Sequence, residues 1–111
     1  TLQPAQQLRL IARYGIESIP LFAADSSHAS IPSTPYLWAE LRQAARAEGV
    51  VHLDDLLLRR VRLGLLAQEG GIDLLPQIRT IVQPELGWDD VRWENEASSY
   101  SELWKRAYRL N

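Results

Sequence analysis

Three arginines within four positions, Arg59, Arg60 and Arg62, form the densest group of chemistry-capable side chains in this sequence. Such a group could grip phosphate, nucleic acid or carboxylates, because each guanidinium presents a planar fork of donors. A helical wheel at ~100° per residue separates them. Leu56, Leu57 and Val61 fall within about 80° of Leu53, as does Gly64, whose missing side chain would let a second helix approach closely. Arg60 lands about 20° from Leu53, inside that apolar face, while Arg59 and Arg62 fan out on the opposite side. Asp55 stands one turn before Arg59, at ion-pair spacing. A guanidinium aimed at a core must be paired and hydrogen-bonded. The expectation for Arg60, Arg59, Arg62 and Asp55 is therefore a structural ion pair, with contact at a surface shared with another domain or subunit as the next choice. A phosphorylated substrate is the least favoured partner.

The remaining candidates point away from catalysis. Asp54-Asp55 and Asp89-Asp90 both fall at expected helix starts, where free N–H groups and the helix dipole stabilise negative charge. His28 and His52 lack cysteine partners and His-Glu-x-x-His spacing, so no zinc site is expected; His52 reads as a surface or capping residue. The six glycines form neither a Gly-x-Gly-x-x-Gly nor a Walker loop. Ser26, Ser27, Ser98 and Ser99 lie outside any strand-turn-helix elbow of the kind that exposes a hydrolase nucleophile. No catalytic, cofactor-binding or metal-ligating residue is assigned.

The elements that would carry these residues are helices. Apolar spacing is helical between punctuation marks at Gly15, Asp25 to Pro35, Gly49, Gly70-Gly71 and Gly87. A first helix is predicted over about Pro4 to Tyr14, with Leu8, Ile11 and Ala12 inward and Gly15 in a left-handed end. A short second helix follows from about Ser18 to Ala24, turning Ile19, Phe22 and Ala23 inward. Thr34-Pro35 reads as N-cap and first position of a third helix reaching about Glu48, with stripe Leu37, Trp38, Leu41, Ala44 and Ala45. The arginine-bearing helix should span about Leu53 to Ala67. A fifth begins near Asp73 with Leu74, Leu75, Ile78, Ile81 and Val82 inward, and Pro84 should kink or end it. Asp89 should cap the last helix, Trp88 and Trp93 should staple its entry, and Trp93, Ala97, Tyr100, Trp104 and Ala107 should line its inner seam.

The 111 residues thus predict one domain, residues 1–111, all-α, a compact bundle of five to six helices. With 46% hydrophobic and 23% charged residues, disorder is not expected. Twelve Lys and Arg against fourteen Asp and Glu leave a net charge of −2, which argues against nucleic acid. The absence of cysteine removes disulfides and fits a reducing, cytoplasmic compartment. Apolar runs are far shorter than the ~20 residues of a membrane span. The chain has no methionine and opens on Thr1-Leu2-Gln3-Pro4, so a piece of a longer polypeptide is expected.

Several stretches together resemble the C-terminal domain of FAD-dependent (aerobic) glycerol-3-phosphate dehydrogenases. They are Tyr14-Gly15, Pro35-Tyr36-Leu37-Trp38-Ala39-Glu40-Leu41 with Ala44-Ala45-Arg46-Ala47-Glu48, and Leu53-Asp54-Asp55-Leu56-Leu57-Leu58-Arg59-Arg60-Val61-Arg62-Leu63-Gly64. Leu75-Pro76 and Glu85-Leu86-Gly87-Trp88 extend the likeness, as does the closing helix with its Glu, Tyr and Trp residues. The resemblance departs at His52, where members carry a threonine cap, and at Pro84, where they carry an ordinary helix former. It implies a parent flavoprotein that oxidises sn-glycerol 3-phosphate to dihydroxyacetone phosphate, passing hydride to FAD and electrons to a quinone. FAD and substrate would then belong to an N-terminal domain of the same polypeptide, which becomes this domain's partner, and no catalytic or FAD-contacting residue carries over. The likeness also allows a homo-oligomer, and a parent docked at the cytoplasmic face of the inner membrane.

The function expected is that of an accessory, non-catalytic helical domain. Such a domain should expose an apolar patch of roughly several hundred Å² where it meets its body. The alternative is a free-standing helical protein-interaction module, with a peptide-fitting groove. A helix-turn-helix nucleic-acid binder built on the arginines ranks third.

Overall fold

The computed structural model describes residues 2–25, 28–32, 34–47, 50, 52–60 and 68–109; the side chains of Ala47, Arg59, Arg60, Gln68, Glu69, Tyr108 and Arg109 lie outside that description. The chain is all-α, and among the described residues the one β feature is an isolated antiparallel bridge between Ser30 and Leu37. In order come α1 (Pro4–Tyr14), a 3-10 turn (Ile16–Ser18), α2 (Ile19–Ala24) and α3 (Trp38–Ala47). There follow α4 (Asp55–Arg60), wound with π-type hydrogen bonds, and a 3-10 segment (Gln68–Leu74). The chain then forms α5 (Leu75–Leu86) and α6 (Asp90–Trp104), extended by a π turn (Lys105–Arg109).

α3 separates two apolar clusters. On one side Leu41 and Ala45 join Leu53, Leu56 and Leu57 around α4, Ile78 and Val82 of α5, and Trp93 and Tyr100 of α6. On the other, Ala39 and Leu37, which just precedes α3, meet Leu2, Leu10 of α1 and Phe22 of α2. Leu53, Leu56 and Leu57 are fully buried, as the wheel requires, whereas Gly64 lies outside the described residues. Fully burying a leucine side chain stabilises by ~1.5–3 kcal/mol, so this trio anchors the larger cluster.

Several local expectations hold. Asp89 caps α6 by accepting from the Arg92 N–H at 2.7 Å, and the rings of Trp88 and Trp93 meet at 6.5 Å between centroids. Trp93 and Tyr100 are buried, with Ala97 and Trp104 half-buried, but Ala107 is exposed because the π turn shifts the seam's phase. Pro84 does not end α5, which runs two residues further and stops where Gly87, at φ 68°, turns left-handed.

Other expectations are corrected. α3 starts three positions after Pro35, because Ile31 N–H donates to the Tyr36 carbonyl (2.8 Å) and Trp38 N–H to that of Ala29 (3.0 Å), drawing the intervening chain into the bridge. Thr34 instead closes a turn, its hydroxyl donating to the Ile31 carbonyl at 2.9 Å and accepting from Tyr36 N–H at 3.1 Å. Gly15 has φ 90° and ψ 159°, an extended positive-φ conformation rather than a left-handed helical end. Ala23 is exposed. Most telling, Leu8 is 69% exposed and Ala12 is exposed, while α1 buries Leu10.

Candidate functional site

The entry to α4 is held from across the domain. Leu53 N–H would be an orphan donor at this helix start, and Glu96 of α6 accepts it at 2.9 Å. The other carboxylate oxygen of Glu96 takes His52 Nδ1 at 3.0 Å and Arg92 Nε at 3.1 Å. Burial pushes the Glu96 carboxyl upward, but the bonds from Leu53, His52 and Arg92 prevail and hold it below the ordinary carboxylate range. His52 itself is exposed, as a surface residue should be; the cap comes from Glu96, 43 positions away. Asp55 N–H donates to the His52 carbonyl (3.2 Å) and to Asp54 Oδ1 (3.0 Å), so the Asp-Asp pair does serve the helix start.

Of the arginine-bearing set, the backbone of Asp55, Arg59 and Arg60 runs through α4, the side chains of Arg59 and Arg60 lie outside the described residues, and so does the whole of Arg62. α4 closes its turns with bonds from i to i+5, which widen it relative to a 3.6-residue helix.

A second constellation went unread in the sequence. Glu40 of α3 is buried, and its carboxylate receives both terminal nitrogens of Arg9, one of them at 3.0 Å. It also accepts the Tyr14 hydroxyl at 2.9 Å and the Leu37 N–H at 2.6 Å, the last as the third-position half of a capping box. Arg9 and Arg13 lie 5.9 and 5.5 Å from the ring centre of Tyr36, so the cations of α1 also rest on an aromatic face. Burial, then the Glu40 charge, pushes the Tyr14 phenol up to about 12. A signal existed: on the α3 wheel Glu40 falls about 60° from Leu37, inside the apolar stripe, where an acid demands a partner.

Both constellations are assemblies of mutually satisfied charges, and among the described residues no buried side-chain polar atom lacks a hydrogen bond. Nor do three or more His, Cys, Asp or Glu side chains converge among them as a metal site would need. An open cleft of about 560 Å³ lies along α5 beside Arg79, Gln83, Trp88 and Asp89. Its one guanidinium is engaged by Gln83 (2.7 Å), Asp90 (2.8 Å) and Glu94 (2.9 Å). What these arrangements do chemically is fix helices.

Residues 1–93 match the model of a family described as the C-terminal domain of alpha-glycerophosphate oxidase. The chain is 34% identical over 104 residues to glycerol-3-phosphate dehydrogenase 2 of Mycobacterium tuberculosis, which covers 89% of this chain and 18% of that protein. It is 31% identical over 105 residues to the glycerol-3-phosphate dehydrogenase of Mycobacterium leprae, covering 90% of this chain and again 18% of the relative. It thus spans less than a fifth of the length of the curated relatives it matches. No solved structure matches it.

Proposed function

We propose, from the premise that this chain belongs to the family of the C-terminal domain of alpha-glycerophosphate oxidase, that it is the accessory helical domain of a glycerol-3-phosphate-oxidising flavoenzyme and performs no reaction by itself. The observation that carries this reading is the match of nine-tenths of the chain to 18% of dehydrogenases named for that substrate. The whole polypeptide would oxidise sn-glycerol 3-phosphate to dihydroxyacetone phosphate, with hydride leaving to FAD and electrons passing to a quinone. Its flavin and substrate would be held by the preceding N-terminal domain.

The described residues do not fit a flavin. A dinucleotide site needs strands that end in a glycine-rich loop opening onto a helix N-terminus. Here Gly70 and Gly71 sit inside a 3-10 segment and Gly87 closes a helix, so none of these glycines forms such a loop. Asp55, Arg59, Arg60 and Arg62 take the role of structural ion pairs or of contacts with the neighbouring domain. Among the described residues no helix is long and apolar enough to cross a membrane. The whole polypeptide would be cytoplasmic and peripheral to the inner membrane, as the family likeness implies.

The test is to add FAD and glycerol 3-phosphate to the purified chain, and to the polypeptide with and without residues 1–111. Flavin absorbance and dye reduction should follow the body alone. Tight flavin binding or turnover by the 111-residue chain would overturn the assignment.

A further inference from the structure

α1 is an amphipathic helix turned the wrong way round. At ~100° per residue, Ala5, Ile11 and Ala12 fall within about 60° of Leu8, whereas Leu10 points about 160° away and Arg9 and Arg13 about 100° and 140° away. A surface helix normally buries its apolar stripe and wets its charges. Here Leu10, the residue opposite the stripe, is the one α1 side chain that is buried, Arg9 is turned inward to Glu40, and of the stripe only Ile11 is half-buried. Ala5, Leu8 and Ala12 face outward. Ile16, in the 3-10 turn that follows α1, is 68% exposed. Four of the five large apolar side chains exposed among the described residues, Leu8, Tyr14, Ile16 and Leu21, belong to the α1–α2 unit. Isolated exposed leucines are ordinary, but such a concentration in one part of the chain marks a contact surface.

We propose that the outward side of α1 around Leu8, with Ile16 of the 3-10 turn that follows, is the face on which the preceding body of the polypeptide docks. The inference rests on the accessory-domain reading and deepens it by naming the surface. Two observations choose this occupant. The relatives are more than five times longer than the matched stretch, and the matching family is a C-terminal domain. The bulk of such a polypeptide therefore precedes α1, and the first helix after the junction is the one it reaches first.

The test uses the full-length polypeptide and the 111-residue chain side by side, with Leu8→Glu/Ile16→Glu as the probe. Val91→Glu, at a residue 70% exposed on α6, is the control. In the full-length protein, the double variant should speed proteolytic separation of the C-terminal domain by a factor on the order of a hundred, the consequence of removing two large aliphatic contacts. Val91→Glu should leave it unchanged. In the 111-residue chain neither variant should shift the melting temperature by more than ~2 °C.

Unchanged proteolysis in the double variant overturns the docking face, and so does unfolding of the short chain, which would mean the stripe is internal. Release by Val91→Glu alone moves docking to α6, overturning this face while leaving the accessory reading intact. A wild-type domain released as fast as an untethered one removes the accessory reading itself. Self-association of the short chain, or its binding to phosphatidylglycerol vesicles, abolished by Leu8→Glu, would assign the stripe to a second copy or to lipid and overturn the proposed occupant.

Discussion

Removing the Glu40 carboxylate should destabilise this domain more than removing any other acid. Four donors converge on it: two from Arg9, the Tyr14 hydroxyl and the Leu37 N–H. In Glu40→Ala the Leu37 N–H loses its partner at a fully buried residue, which costs about 1–3 kcal/mol. Truncating one side of a buried charge pair costs about 3–5 kcal/mol, but the Arg9 side chain keeps 28% of its exposure and can partly rehydrate, which lowers that figure. Tyr14 also reaches water, so its loss is small. The net expectation is roughly 3–4 kcal/mol, or a fall in melting temperature of about 15 °C. Urea unfolding followed by tryptophan fluorescence reads this directly. Arg9→Met alone strands a buried carboxylate, so Arg9→Met with Glu40→Met should be less damaging than the sum of the singles, by about 2 kcal/mol. A loss below ~1 kcal/mol in Glu40→Ala, or additive singles, would refute the argument.

Three further outcomes follow from the same contacts. The Glu96 carboxyl is held below its ordinary value of 4.5, so the stability it contributes is present above that pH and lost as pH falls through the lower folded value. Glu96→Gln should therefore flatten the acid limb of a melting profile, and an unchanged limb would contradict the cap. Tyr14 runs the other way: with its phenol raised from 10 to about 12, its contribution is complete below pH 10 and disappears as pH rises through about 12. An ultraviolet phenolate titration should show a late component that Tyr14→Phe removes; its survival in that variant would contradict the assignment. A Cβ on Gly70, at φ 67°, would lie 2.3 Å from the Trp104 ring, whereas on Gly87, at φ 68°, it meets nothing within 4 Å. Gly87→Ala should cost about 1–2 kcal/mol of backbone strain and Gly70→Ala about 1–3 kcal/mol more, and equal losses in denaturant midpoint would show that the ring yields.

How much of this was legible in the sequence depends on how local each cause is. The bounds of α1, the Asp89 cap and the Trp88–Trp93 staple depend on neighbours within one or two turns, and the residues there state them. The buried trio Leu53, Leu56 and Leu57 was equally readable from spacing. The start of α3 was not, because the Thr34-Pro35 signal competes with a bridge whose partner, Ser30, precedes the turn. Neither Glu96 nor Arg9 announces its partner, 43 and 31 positions away. The proposed site was half legible: the Leu8, Ile11 and Ala12 stripe was recognised as apolar, but a wheel reports a direction relative to the helix, not to the domain.

The direction is supplied by Glu40. An acid inside the apolar stripe of α3 has to meet cations, and α1 offers Arg9 and Arg13 on the side of its wheel away from Leu8. Pairing of Arg9 with Glu40 therefore rotates α1 about its axis until Arg9 points in and Leu8 and Ala12 point out. Hydrophobic burial alone would favour the opposite rotation, so the ion pair and the outward stripe are two sides of one choice. This explains why a charge is retained inside a small core where a well-packed apolar residue would often be no less stable. Replacing Glu40 and Arg9 together by methionine should then do more than preserve part of the stability. It should free α1 to roll, lowering the exposure of Leu8 and weakening any contact made through it, even though Leu8 itself was not changed.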